Sequence, residues 1–305
     1  MRLSPAAWRY IKIALTVVLL VVLLASLDLS RFAAALLHID LRWLALGVLL
    51  CFGFAALRMF KWIYLSKANG LEASPLELVR AMAFALALGI VTPGRVGEVV
   101  AIAPFAAGHR PRALMAYVLD RIGELCSVLM FCAPAALLFL PVWGSTVAAA
   151  LLVGSVAVAV ALTVPLLHGV LVRLLPSGTP KRLREVLVAP VFIPAGYWLL
   201  SLFTYIVNYL ALAVIIAGSE PIASPLALLV LPPVTLSNLI TVTIGGLGVR
   251  EGLAAMMAPL GSITPEAAAA AFFLSFVLTR LVPGLVGLWW TLARDVGERA
   301  QNEGK

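Results

Sequence analysis

The sequence predicts an all-α, polytopic membrane protein with about six full spans plus two oppositely oriented re-entrant helical hairpins in an inverted repeat. Three observations carry this expectation. Hydrophobic residues make up 63% of the 305-residue chain and charged residues 12%, against about 45–50% and about 25% in a soluble domain. The apolar residues fall in runs close to the ~20 residues that cross a bilayer as a helix. Two Gly-rich breaks, one in each half, split apolar runs too short to span. The excess of apolar residues excludes a single water-soluble core and a disordered chain. Cys51, Cys126 and Cys132 all sit in apolar runs, which excludes a disulfide scaffold. The net charge of +8 does not point to nucleic acid. Lys and Arg are spread over short loops, the pattern of a positive-inside bias. The chain reads as one integral membrane domain, 1–305, with approximate halves 41–140 and 186–292.

The first apolar run, residues 13–27, follows Arg2, Arg9 and Lys12 and lacks a good cleavage site, so it is expected to be an uncleaved span. Residues 28–40 are amphipathic and suit the interface. Residues 41–65 form the second span, with Trp43, Trp62 and Tyr64 as interfacial anchors. After a polar loop, residues 78–91 and 99–107 are two short apolar arms around Thr92-Pro93-Gly94-Arg95-Val96-Gly97-Glu98. Such an irregular break survives at membrane depth only inside protein or beside a wet cavity. Full spans are expected at 113–140, 142–172 and 186–217, and the loop 173–185 is basic. Residues 225–243 then break at Gly245-Gly246-Leu247-Gly248-Val249-Arg250-Glu251, a short arm covers 253–260, and the last span is 267–292.

With both hairpins re-entering, one side collects Arg2, Arg9, Lys12, Lys61, Lys67, Arg80, Arg110, Arg112, the basic loop 173–185 and Arg294, Arg299 and Lys305. The other side holds Arg31 and Arg42, balanced by Asp28 and Asp40. This places a multi-pass protein in the cell (inner or plasma) membrane with both termini cytoplasmic.

The two breaks resemble each other as T-x-G-x-[VL]-G, residues 92–97 and 243–248, each with a nearby Arg and Glu. An odd number of spans separates them, so they enter from opposite faces, the layout of inverted-repeat transporters. Arg58, Arg95, Arg121, Arg250 and Arg280 face Glu98, Asp120, Glu124 and Glu251 within apolar segments. Each such group is costly in a bilayer, and buried ion pairs are poor sources of stability. Asp120 and Glu124 share a helical face, Arg121 reaches Glu124, and Arg58 or Arg280 is the expected further partner. One arginine is left over. Guanidinium forks and the N–H groups of Thr92, Pro93, Gly94 and Gly97, and of Gly245, Gly246 and Gly248, where they have one, suit phosphate oxygens. These nine ionisable residues and two breaks are the candidate substrate site, for a membrane lipid with an anionic phosphate head group. A purely structural ion-pair network and a proton relay stay open as alternatives. His38, His109 and His168 are scattered, and neither a metal nor a cofactor is called for.

At these residues a family resemblance enters. Arg58 with Lys61-Trp62, the first break, Asp120-Arg121-Ile122-Gly123-Glu124, the second break and Arg280 resemble the lysylphosphatidylglycerol synthase transmembrane-region family, also called the flippase-like domain family. The family resembles the membrane half of the multiple peptide resistance factor, which translocates aminoacylated phosphatidylglycerol. Related stand-alone proteins are linked to polyprenyl-phosphate sugar or hopanoid pathways. Ile244 departs from the usual proline before the glycines. The soluble aminoacyl-transfer domain of the full synthase has no counterpart here. The resemblance therefore implies lipid handling, not lysyl transfer. The expected function is a flippase for an anionic phospholipid or polyprenyl-phosphate lipid, and not an enzyme. The alternatives are a membrane transferase on a lipid-linked sugar, or a non-catalytic partner of a lipid or glycan biosynthetic enzyme. A homo-oligomer also stays open.

Overall fold

The computed structural model describes residues 29–92, 96–102, 110–163, 193–237, 243 and 246–303, and every regular element among them is a helix. Helix α1 (Leu29–Leu37) is the amphipathic piece. Asp40 then starts α2 (Leu41–Ala68), its carboxylate accepting the Arg42 N–H at 2.8 Å, which satisfies an otherwise orphan donor. A capping box between Ser74 and Glu77, with Pro75 at the first helical position, starts α3 (Pro75–Val91). The next elements are α4 (Val96–Ile102), α5 (Arg110–Phe139), α6 (Gly144–Thr163) and α7 (Ala195–Ser219). A 3₁₀ turn over Pro225–Val230 leads into α8 (Leu231–Leu236), followed by α9 (Val249–Met257). Helix α10 (Pro265–Phe276) passes through a π-helical turn, Val277–Leu281, into α11 (Val282–Glu303).

Among the described residues, five helical rods are long and apolar enough to cross a membrane: Leu41–Ala68, Arg112–Phe139, Gly144–Thr163, Ala195–Ser219 and Pro265–Ala293. They are the second to sixth expected spans, the fourth and fifth in their described parts. The first apolar run, 13–27, and the basic loop 173–185 lie outside the described residues. Large apolar side chains such as Leu49, Phe60, Val153, Leu199 and Trp289 are exposed, as a lipid-facing surface requires.

Helix α7 lies along α2, α6 along α5, and α11 along α3. Gly287 makes the last contact possible, since a Cβ there would come within 2.4 Å of the Ala83 backbone. One buried cluster gathers Trp62, Leu65, Leu78, Met82, Leu119 and Tyr197 from α2, α3, α5 and α7. A second gathers Cys51, Leu212, Leu231, Ala258 and Phe272 from α2, α7, α8, α10 and the turn after α9. The first cluster corrects one expectation. Trp62 is fully buried against Tyr117 and is no interfacial anchor, whereas Trp43 and Tyr64 are exposed. Arg58, Trp62 and Leu65 recur at helical spacing and face inward as one stripe. Both breaks have helix–break–helix form: α3 and α4 pack together around the first, and α8 and α9 flank the second.

Candidate functional site

Thr92 closes the first break, donating its hydroxyl to the Leu88 carbonyl at 2.6 Å and accepting the Gly97 N–H at 2.8 Å. Thr243 closes the second, donating to the Leu247 carbonyl at 2.9 Å. Gly246 and Gly248 there have φ of 77° and 82°, a conformation that needs glycine. Each break restarts a helix with a glutamate at its third position, Glu98 in α4 and Glu251 in α9. A negative charge is favourable at a helix N-terminus. Glu251 also accepts the Gly248 N–H at 2.9 Å and pairs with the Arg250 guanidinium. Pro93, Gly94, Arg95 and Gly245 lie outside the described residues, and so does the expectation that Arg95 shares one site with Arg250.

Helix α5 carries the centre of the charged network. Asp120 is fully buried and Glu124 nearly so. Arg121 lies between them, 2.7 Å from Asp120 and 2.5 Å from Glu124. Across from α5, α2 supplies Arg58, with Nε 3.2 Å from Glu124, and Lys61, with Nζ 3.1 Å from Glu124 and 3.5 Å from Asp120. Tyr197 of α7 donates to Asp120 at 2.8 Å. One turn earlier on α5, Tyr117 donates to Glu98, and the Arg121 guanidinium lies over its ring. The network thus joins the first break to α2, α5 and α7. Among these ionised groups the cations Arg58, Lys61 and Arg121 face the anions Glu98, Asp120 and Glu124.

Glu124 and Arg58 also open onto a cavity. Its wall includes Phe54 and Arg58 from α2, Glu124 from α5, Tyr205 and Asn208 from α7, Thr235 from α8, Arg250 from α9, and Ser275, Thr279 and Arg280 from the last rod. The π turn places Thr279 and Arg280 on this wall, and π turns are frequent at functional sites. Arg250 is further fixed by the Phe276 ring, 4.7 Å from its guanidinium carbon. Among the described residues, three guanidinium groups line the cavity against one carboxylate, and one of the three, Arg250, is also paired with Glu251.

The family model for the lysylphosphatidylglycerol synthase TM region matches residues 9–287, nearly the whole chain. The chain belongs to that family. A search of the curated proteins finds no match. In this family member, the predicted residues separate into two groups. Arg58, Glu124, Arg250 and Arg280 meet at the cavity. Glu98, Asp120, Arg121 and Glu251 are off its wall: Asp120 and Arg121 bind the network from behind, and Glu98 and Glu251 are held at the two helix starts. As the spacing on α5 predicted, Arg121 reaches Glu124, and Arg58 is its partner from another helix.

Tyr197, Tyr205 and Asn208 went unread in the sequence, and Lys61 was read only within the family motif and as a flank, not as a site residue. Lys61 reads as a basic flank of a span, yet it is fully buried. Its position three residues after Arg58, on the same helical face, was the available signal. Lone polar residues in an apolar helix, such as Asn208, carry no signal of their own until the neighbouring helices are placed.

Proposed function

We propose that this protein is a lipid translocase, a flippase or scramblase for a lipid with an anionic phosphate head group, and that it is not an enzyme. The observation that carries the reading is the cavity in which Arg58, Arg250 and Arg280 meet with Glu124, the one carboxylate among the described residues of its wall. Arginine forks match phosphate oxygens in two-point contacts. Membership of a lysylphosphatidylglycerol synthase membrane family supports a lipid partner. In this reading the two helix–break–helix units are re-entrant hairpins of an inverted repeat, entering from opposite faces. The remaining basic loops put both termini in the cytoplasm of a cell-membrane protein.

Transbilayer movement of labelled lipids in proteoliposomes, scanned over head groups, tests the proposal. Anionic lipids should move faster with the protein than in empty vesicles. Arg250→Lys and Arg280→Lys keep the charge and lose the fork, so they should slow movement without lowering thermal stability. The structural alternative expects the reverse order: loss of folded protein, with full activity in each molecule that remains folded.

A further inference from the structure

We propose that Arg58 is the exchangeable cation of the charged network: it leaves Glu124 to take an oxygen of a phosphate-bearing ligand in the cavity, and Lys61, behind the wall, keeps Glu124 held while it does so. This rests on the reading of the cavity as a phosphate site and adds the separate roles of its cations. It holds whether or not the ligand then crosses the membrane.

Three cations reach Glu124, and they are not held alike. Arg121 donates to Oε2 at 2.5 Å and to Asp120 at 2.7 Å, and its guanidinium lies over the Tyr117 ring. Lys61 donates to Oε1 at 3.1 Å and stands 3.5 Å from Asp120. Arg58 brings its Nε within 3.2 Å of the same Oε1, yet without the alignment of a hydrogen bond. Its Nη2 is also buried with no acceptor, so among the described residues Arg58 donates no hydrogen bond at all. Buried donors are rarely left so. Arg250, also on the cavity wall, has both Glu251 and the Phe276 ring. Arg58 is thus the arginine of the wall and network that charge alone holds to its carboxylate.

The three cations also differ in place. Arg58 and Glu124 line the cavity, whereas Lys61 and Arg121 stand behind them. Glu124 is therefore gripped from behind through hydrogen bonds and touched from the cavity side by charge. A phosphate entering the cavity can draw Arg58 away at the expense of one ion pair without a hydrogen bond. The guanidinium fork then gains two charge-assisted bonds, and Glu124 keeps Lys61 on Oε1 and Arg121 on Oε2. Without Lys61 the hold on Oε1 would pass to Arg58, and the exchange would become costlier, because an uncovered buried carboxylate is strongly unfavourable. Lys61 is in this sense a positioning residue. It meets no ligand and keeps Arg58 available.

Binding of dihexanoylphosphatidic acid to the purified full chain in detergent, read by calorimetry, tests the exchange. Dihexanoylglycerol, the same lipid without phosphate, is the control. Arg58→Gln should weaken phosphatidic acid by roughly tenfold or more, the loss expected of charge-assisted hydrogen bonds, and Arg58→Lys should fall between. Lys61→Gln should weaken it too, and Lys61→Arg, which keeps a hydrogen-bonding cation, should lose less. Removing any positive charge weakens the binding of an anion, so the deciding readout is the gain in affinity from Glu124→Gln, measured in the parent and in Lys61→Gln. The exchange predicts a gain roughly tenfold larger in the Lys61→Gln background, where Glu124 otherwise retains Arg58. Charges acting independently predict equal gains. Equal gains, or unaltered binding in folded Arg58→Gln, overturn the inference and leave the phosphate reading of the cavity standing. If the Lys61→Gln variants do not fold, the unfolding temperature without ligand decides. Arg58→Gln should then alter it less than Arg121→Gln does, and an equal or larger loss overturns the inference. If the parent binds phosphatidic acid no better than dihexanoylglycerol, the cavity is no phosphate site and the inference falls with it. If phosphatidic acid binds through Arg58 but no lipid moves in proteoliposomes, the translocase reading alone fails.

Discussion

Asp120 and Glu124 show how single residues hold this protein together. Each is buried, and each would be costly in isolation, but Arg58, Lys61, Arg121 and Tyr197 surround them from three helices. Neutralising one carboxylate leaves the other to serve the three cations; neutralising both leaves them only Glu98, which is held by Tyr117 at the first break. Breaking a buried pair from one side costs about 3–5 kcal/mol. The Asp120→Asn and Glu124→Gln double variant should therefore lose more than the sum of the singles, by about 0.5–3 kcal/mol of coupling, read as thermal stability of purified protein. A double variant that unfolds like the parent rules out a cooperative network. The carboxylates and arginines were legible in the sequence because each stands alone in an apolar run. Lys61 was not. Near the end of a span a lysine ordinarily snorkels to water, and here only the packing of α5 and α7 over α2 buries it.

At the level of elements, the spans were legible because length and hydrophobicity alone define them, and the breaks because glycine and proline punctuate apolar sequence. The glycines at the second break are there for backbone reasons. Gly248 has φ of 82° immediately before α9, and its N–H is held by Glu251. A side chain in left-handed backbone costs about 1–2 kcal/mol. Gly248→Ala should lower thermal stability by that order and release the start of α9. Gly154→Ala is the control: it lies on α6 with open space around it and should bring no loss. If the two variants unfold alike, the second break does not depend on its glycine geometry. The π turn at Val277–Leu281 was not read from the sequence, although Pro283 foreshadows it. Pro283 offers no N–H to the Thr279 carbonyl and crowds it, so the helix widens there and turns Thr279 and Arg280 onto the cavity wall.

For the whole molecule, the arrangement of α2 and α7 sets a constraint independent of charge. The start of α2 meets the end of α7, where the Asp40 N–H donates to the Gly218 carbonyl at 3.1 Å. At the other end Tyr64 of α2 lies against Gly196 at the start of α7. The two helices are antiparallel, so the loop after α2 and the loop after α7 lie at opposite ends of the pair. Charge then chooses which end faces the cytoplasm. Lys61 and Arg80 are buried in protein and drop out of that count, but Lys67 and Arg112 remain beside the first loop, and the loop after α7 has no Lys or Arg. The positive-inside bias therefore assigns the loop after α2 to the cytoplasm. With Cys51, Cys126 and Cys132, all buried, replaced by alanine, single cysteines at exposed Glu72 and Ala223 should react with impermeant reagents from opposite sides, Glu72→Cys from inside and Ala223→Cys from outside. Labelling of both from one side contradicts the antiparallel packing of α2 and α7 across the membrane. Labelling from opposite sides in the reverse sense leaves that packing intact and inverts the orientation, and with it the direction from which a lipid head group reaches each break.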